Sequence, residues 1–322
     1  YPYARTGGLA EAVAGLAAHQ ARAEEGVVVF MPLYPHVRAV APDLVPLQPL
    51  IRVTVGARTE EVRFFVDAAN KSGPFIIFVD APGYFTRSGL YGESGSDYPD
   101  NHVRFALFAR AVLAGVRQFV PGPVLLHLHD WHAALASLFL RAMGAEMPFG
   151  PTPVVLSVHN AGYQGHYQKS AIKDLGIPDA LWTPDKLEWY GQFNLLKAGL
   201  TYCDVAVTVS PSHARELCTP EGGFGLHGTF QHMGERLVGI CNGIDEDVWN
   251  PATDPAIAAR YSREELDGKA ACKKALQLTL GLAHRPDVPL FGMSARLAKQ
   301  KGFELILKSA SLRSPNAQFV FL

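Results

Sequence analysis

Short apolar, β-branched runs alternate along this chain with longer stretches of helical periodicity, and that alternation constrains the fold more than any other feature. Val27–Met31, Phe75–Val79, Val124–Leu128, Val154–Val158, Val205–Val209, Leu237–Cys241, Leu290–Ser294 and Phe319–Leu322 read as strands. Leu9–Ala23, Asn101–Phe119, Ala133–Met143, Asp185–Leu200, Ser212–Leu217, Gly268–Leu280 and Phe303–Ser309 read as helices. Most of the strands are continuous apolar runs, the pattern of a parallel sheet covered on both faces. Ile51–Val55 and Glu61–Phe65, separated by a short turn that begins at Gly56, read instead as an antiparallel hairpin. The expected class is α/β, with doubly wound sheets.

The chain has 322 residues, of which 48% are hydrophobic and 18% charged, enough to build a sizeable core in one large or two medium domains. A boundary is expected just after Cys241: Asn242 to Asp245 form a turn, Trp249 to Pro255 are irregular, and a new helix and strand follow. The expected domains are therefore 1–241 and 242–322. The chain opens at Tyr1 without Met and stops inside the apolar run 318–322, which reads as a piece of a longer protein whose first strand precedes Tyr1 and whose second domain is truncated. A formal net charge of −1 provides no overall basic field for nucleic acid or an anionic membrane. Nowhere do 18 apolar residues run without a charge, which excludes a transmembrane helix. The four cysteines are far apart with no C-x-x-C, and read as free buried thiols of a reducing compartment.

In open parallel sheets ligands bind beyond the carboxyl ends of the strands. Here five strands run into polar residues: His129-Asp130-Trp131-His132, His159-Asn160, Ser210-Pro211, Asn242-Gly243-Ile244-Asp245, and Arg296 followed by Gln300-Lys301-Gly302. Any one of these is an ordinary polar turn, but the set points to a cleft along one sheet edge. Arg5-Thr6-Gly7-Gly8-Leu9 precedes a helix, whose free N–H groups and dipole suit phosphate. Arg296 and Lys301 are placed to meet a diphosphate. His129 and His132 lack a partner cluster with metal-ligand spacing, and His127, on the strand, is expected to point away, so a metal site is disfavoured. Asp130 is the better candidate for a substrate contact. His159, Asn160 and the Tyr163-Gln164-Gly165 stretch, with Tyr91 and Tyr98, offer donors and aromatic surface that suit a sugar.

Taken in order, these segments resemble the bacterial glycogen synthase and plant starch synthase family. Arg5-Thr6-Gly7-Gly8-Leu9 resembles its K-T-G-G-L loop, and Leu90-Tyr91-Gly92, Asp100-Asn101 and Arg104-Phe105-Ala106 resemble its L-Y-G, D-N and R-F-A elements. His129 to His132 match H-D-W-H, and Val158 to Gly165 match V-H-N-x-x-Y-Q-G. Lys197-Ala198-Gly199-Leu200, Thr208 to Pro211, Gly225 to Gly228, Asn242 to Asp245, and Arg296 with Gln300-Lys301-Gly302 follow in the same order.

The resemblance implies a two-domain GT-B fold with the active cleft between the domains. It implies retaining transfer of glucose from ADP-glucose to the non-reducing end of an α-1,4-glucan, without metal or other cofactor, in the bacterial cytoplasm; a plastid remains open because the N-terminus is missing. By match, Asp130 and His159 contact the transferred glucose. Arg296 and Lys301 hold the diphosphate with Arg5, Gly7 and Gly8. Glu11, Tyr91, Tyr98, Asn160 and Asn242 lie on the acceptor and sugar side. Arg5 and Glu11 depart from the family's Lys and Asp. A glutamate that completes the donor site belongs beyond Leu322, so this stretch alone is expected to be inactive. Fixed cations meeting the departing diphosphate, assembled by domain closure, are the expected source of rate. Two alternatives stay open: a GT-B transferase using UDP-glucose or another acceptor, and a non-catalytic glucan-binding derivative. A dehydrogenase fits poorly, because no dinucleotide fingerprint follows any strand.

Overall fold

The computed structural model describes residues 3–4, 7–23, 26–70, 73–144, 147, 150–295, 301–309 and 316–322. It divides into two compact units, Tyr1–Gly243 and Ile244–Leu322. In chain order, the first unit begins with α1 (Leu9–Arg22), β1 (Val28–Pro32), α2 (Val37–Val40), β2 (Leu44–Val55), β3 (Arg58–Asp67), β4 (Phe75–Asp80) and α3 (Pro82–Phe85). The small hairpin β5 (Gly92–Glu93) and β6 (Ser96–Asp97) leads into α4 (Asn101–Phe119), β7 (Leu126–His129), α5 (Trp131–Arg141), β8 (Val154–Val158), β9 (His166–Gln168) and α6 (Ser170–Asp174). The unit continues with β10 (Glu188–Trp189), β11 (Gln192–Asn194), α7 (Leu195–Tyr202), β12 (Val205–Thr208), α8 (Pro211–Leu217), α9 (His227–Met233) and β13 (Leu237–Gly239). The second unit contains α10 (Asp267–Thr279), β14 (Leu290–Met293), α11 (Phe303–Lys308) and β15 (Gln318–Phe321).

Two four-stranded sheets organise the first unit. One, in the order β1-β4-β3-β2, is mixed: β1 and β4 are parallel, while β3 runs antiparallel to both β4 and β2. The expected hairpin is therefore present but longer than the apolar runs show. Its outer strand β2 carries Pro46 and Pro49, which cannot donate to a ladder and are tolerated at an edge. The other sheet, β13-β12-β8-β7, is parallel throughout. Its strands have the near-continuous apolar character of a doubly covered sheet, with Val154, Leu156, Val158 and Ala206 fully buried. In the second unit β14 and β15 are parallel.

Helix ends follow local chemistry. Helix α4 stops at Phe119, ahead of Pro121 and Pro123, which cannot continue a helix. The Asn194 side chain accepts the Lys197 N–H at 2.9 Å and starts α7. The Ser210 hydroxyl accepts the His213 N–H at 3.0 Å, with Pro211 at the first helical position of α8. The expected helix over 185–200 is therefore wrong in its first half. Residues 188–194 form the antiparallel hairpin β10–β11, with Tyr190 and Gly191 at positive φ in its turn, and helix begins only after the Asn194 cap. The thiols also differ from expectation: Cys203 is buried, Cys218 and Cys272 are half-buried and Cys241 is exposed. Among the described residues no helix is long and apolar enough to cross a membrane.

Helices α5 and α7 lie against each other closely enough that a glycine is required where they meet. A Cβ on Gly199 would stand 2.5 Å from the Ala134 Cβ and 2.9 Å from Leu156 Cδ2. The Ser137 hydroxyl bridges the same contact by reaching the carbonyls of Ala134 and Gly199 at 2.8 and 3.1 Å. Gly199→Ala should therefore lower stability in urea unfolding by about 1–3 kcal/mol through overpacking, and Ala134→Gly in the same chain should recover part of the loss.

Candidate active site

The carboxyl ends of β7 and β8 bring Asp130, His129, His159 and Asn160 together. Parallel register sets His129 opposite Ser157, so the residues just past both strands lie side by side. The Asp130 N–H donates to the Ser157 carbonyl at 2.8 Å, and Asp130 Oδ1 accepts the His159 N–H at 2.7 Å. This double tie holds Asp130 at φ 58° and ψ −175°, a region otherwise left to glycine. The side chain is nearly buried, and that desolvation pushes its pKa up from 3.8 to about 6 against the opposing pull of the His159 and Asn160 N–H groups.

His127 does not point away, as its place on the strand led us to expect. It is two residues from His129, on the same face of β7, and their ring centroids are 4.3 Å apart. Its Nε2 pairs with the Ser157 hydroxyl at 2.8 Å. His129 Nδ1 and His159 Nε2 lie 3.1 Å apart in a ring-to-ring hydrogen bond. Burial lowers the pKa of all three imidazoles, and for His129 and His159 the neighbouring rings add to the depression. Burial drives His132 further, to about 4. At neutral pH this polar ladder is therefore uncharged. Among the described residues no three His, Cys, Asp or Glu side chains are grouped to hold a metal ion.

Other motif residues act as scaffold. Gln164 is buried; its amide N–H groups donate to the Ala161 and Phe224 carbonyls at 2.8 and 3.0 Å, and its carbonyl accepts from Asn194 at 2.6 Å. Gly165, at φ +68°, leaves no room for a side chain: a Cβ would sit 2.6 Å from the Trp131 ring. Asn160 Oδ1 accepts the Gly162 N–H at 2.9 Å and turns the loop after β8. Tyr91 packs against Trp131, Phe105 and His132, and burial pushes its hydroxyl pKa far up. Tyr98 is also held in the scaffold. Its hydroxyl accepts the Gly89 N–H at 3.1 Å and its ring lies under Arg87 and Arg104, with each guanidinium carbon about 5 Å from the ring centre.

Arg104 is a site-supporting residue whose importance the sequence reading missed. It is fully buried, donating to the carbonyls of Tyr84 and Leu90 and to Asn101 Oδ1. Its guanidinium thus pins the 84–101 segment from inside. A basic residue at that spacing on α4 gives no sign of burial in the sequence.

The remaining candidates are spread over the chain. Gly7, at φ +61°, and Gly8 precede α1, and the position a Gly8 side chain would fill is open for 4 Å around. Glu11 lies in the exposed first turn of α1. Asn242 is exposed in the segment after β13. Lys301 is exposed ahead of α11 in the second unit, while Arg5 and Arg296 lie outside the described residues. A cavity of about 560 Å³ opens beside α7 and α9, with Trp189, Tyr190, Lys197 and Arg236 in its wall, and shares none of these residues.

Comparison with known proteins places this geometry. The family described as "Starch synthase catalytic domain" matches residues 1–232. Glycogen synthase of Syntrophotalea carbinolica is 42% identical over 306 residues, covering 95% of this chain and 63% of that protein. Glycogen synthase 2 of Geobacter sulfurreducens is 42% identical across 100% of this chain and 66% of its own length. The catalytic domain of starch synthase IV from Arabidopsis thaliana, solved with ADP and acarbose, superposes with a TM-score of 0.85 at 31% identity, covering 100% of this chain and 66% of that one. The fold is therefore GT-B, and the chain belongs to the starch synthase catalytic domain family. It spans 63–66% of the length of these curated relatives.

The raised Asp130 pKa has a measurable consequence. Ionisation costs more in the folded than in the unfolded chain, so the folded state is favoured below pH 3.8 and loses that advantage as pH rises through about 6. Asp130→Asn, which can still accept the His159 N–H, should therefore be more stable than the native protein above pH 6, by up to about 3 kcal/mol. The gain should shrink as pH falls toward 4. Urea unfolding at pH 7.5 and pH 4.5 measures it; an Asp130→Asn protein less stable than native at pH 7.5 contradicts the assignment.

Proposed function

We propose that the full-length protein transfers glucose from ADP-glucose to the non-reducing end of an α-1,4-glucan, retaining the configuration of the anomeric carbon. The observation that carries this reading is the strand-end cluster of Asp130 and His159, set in the motif order of a family whose relatives are glycogen synthases. The ADP and acarbose held by the Arabidopsis neighbour support a nucleoside diphosphate as leaving group and an oligosaccharide as acceptor.

In this reading the transferred glucose lies beyond β7 and β8. His159 presents Nδ1 to it, because Nε2 is occupied by His129. Asp130, with one carboxylate oxygen committed to the His159 N–H, orients the sugar and its surrounding loop rather than attacking C1. The bond from C1 to the diphosphate oxygen breaks as the acceptor hydroxyl oxygen bonds to C1 on the same face. The departing phosphate takes the hydroxyl proton, so no separate base is needed. Arg296 and Lys301 in the second unit, and separately Arg5 and the helix start after Gly7 and Gly8 in the first, carry the positive charge suited to offset what grows on ADP. Glu11, Tyr91, Tyr98, Asn160 and Asn242 serve the acceptor side, Tyr91 and Tyr98 by shaping the wall rather than by direct contact. No cofactor is assigned.

Two measurements on the full-length protein test this. ADP release from ADP-glucose on glycogen should exceed UDP release from UDP-glucose and persist in a chelator. Neutralising Arg296 and Lys301 together should lower kcat by at least about 100-fold, the scale set by losing fixed charge at a leaving group. Preference for UDP-glucose, or an unchanged rate in the double variant, contradicts the proposal.

A further inference from the structure

The ladder on β7 and β8 carries a residue to which the mechanism gives no task. His129 lies between His127 and His159: one ring packs against it at a tilt and the other is hydrogen-bonded to it. It has few other ways to earn its burial, since an imidazole in a parallel sheet replaces a branched apolar side chain and has to be satisfied. The geometry supplies a reason. Among the described residues His159 Nδ1 has no hydrogen-bond partner, whereas Nε2 is 3.1 Å from His129 Nδ1. A neutral imidazole has one N–H and one lone pair, so the role of Nε2 in that bond dictates the opposite role for Nδ1.

We propose that His129 is a positioning residue for sugar transfer: its Nδ1 fixes the ring orientation of His159 and couples the tautomers of the two rings, so that the role His129 takes in that bond sets whether His159 Nδ1 donates to the transferred sugar or accepts from it. This inference rests on the sugar-transfer reading above. It deepens that reading by assigning the hydrogen-bond character of the group facing the sugar to a residue that does not touch it. The arrangement is the analogue of the carboxylate or carbonyl that orients a catalytic or metal-binding histidine. His127 completes the support by packing against His129 while its own Nε2 is anchored to Ser157. The backbone tie from Asp130 to the His159 N–H sets the height of the loop, and the His129 bond sets the rotation of the ring. The titratable groups around His129 are His127, His132, His159 and Asp130. Burial and the neighbouring rings disfavour a charge on His129, so the bond joins two neutral rings.

The test separates position from polarity. In the full-length protein, His129→Asn places an amide where Nδ1 stands, and His129→Gln places one where Nε2 stands. The expected result is that His129→Asn keeps kcat within a few-fold of native, while His129→Gln lowers it by about 100-fold, the scale of a misaligned reacting group. KM for ADP-glucose should change little in either. Imidazole nitrogen chemical shifts of His159 should report one tautomer in the native protein and in His129→Asn, and a mixture in His129→Gln. Equal loss in both variants, or no loss in either, overturns the proposal, as does an unchanged His159 tautomer in His129→Gln. His159→Ala is the control for the underlying reading. If it leaves turnover intact, the sugar-transfer site itself is misplaced; if it abolishes turnover while His129→Gln does not, only the role of His129 fails.

Discussion

One hydrogen bond organises the candidate site: the Asp130 carboxylate accepting the His159 N–H across the ends of two parallel strands. A parallel ladder fixes strands side by side but leaves the residues beyond them free to splay. Here the tie continues the ladder by one more rung through a side chain. The backbone conformation at Asp130 is the cost, about 1–3 kcal/mol for a non-glycine residue in that region. Burial of the carboxylate adds to it. Both costs fall on one residue of the candidate site, and such sites are where strain is commonly stored.

Around this bond the chain builds a rigid shell. Trp131 follows Asp130 directly and packs against Tyr91 and Phe105, while the missing side chain at Gly165 lets the loop after β8 close over the indole. Gln164 and Asn194 lock that loop to the start of α7, and Arg104 locks the 84–101 segment to α4. Several residues whose chemistry invites a substrate role, Tyr98 and Gln164 among them, are instead occupied within the protein. That division leaves His159 Nδ1 as a polar group free to meet a sugar, with its partner His129 behind it.

The sequence made some of this legible and hid the rest for identifiable reasons. Helix α4 was readable to the residue, because its apolar periodicity is unbroken and prolines close it. The parallel strands were readable as apolar runs, and of their polar ends those after β7 and β8 lie side by side. The hairpin β2–β3 was underestimated because its outer half is exposed and carries prolines, so the apolar signal fades where the strand continues. The 185–200 stretch reads as helix in the sequence because apolar residues at helical spacing are also compatible with a short hairpin, and only the Tyr190-Gly191 turn distinguishes the two. Within the site, the neighbourhood of Asp130 and His159 was legible only as two strand ends. Their contact depends on strand register, which a single sequence does not state. The placement of His127 failed for a different reason: strand alternation, which the sequence does state, sets it on the same face as His129.

The central claim is that the transferred sugar sits at the ends of β7 and β8, facing His159. A crystal structure of the full-length protein with ADP-glucose bound and acceptor withheld tests it most directly. The glucosyl ring is expected within hydrogen-bonding distance of His159 Nδ1, with the Asp130–His159 tie intact. A glucosyl ring bound elsewhere, with His159 Nδ1 facing solvent, contradicts it.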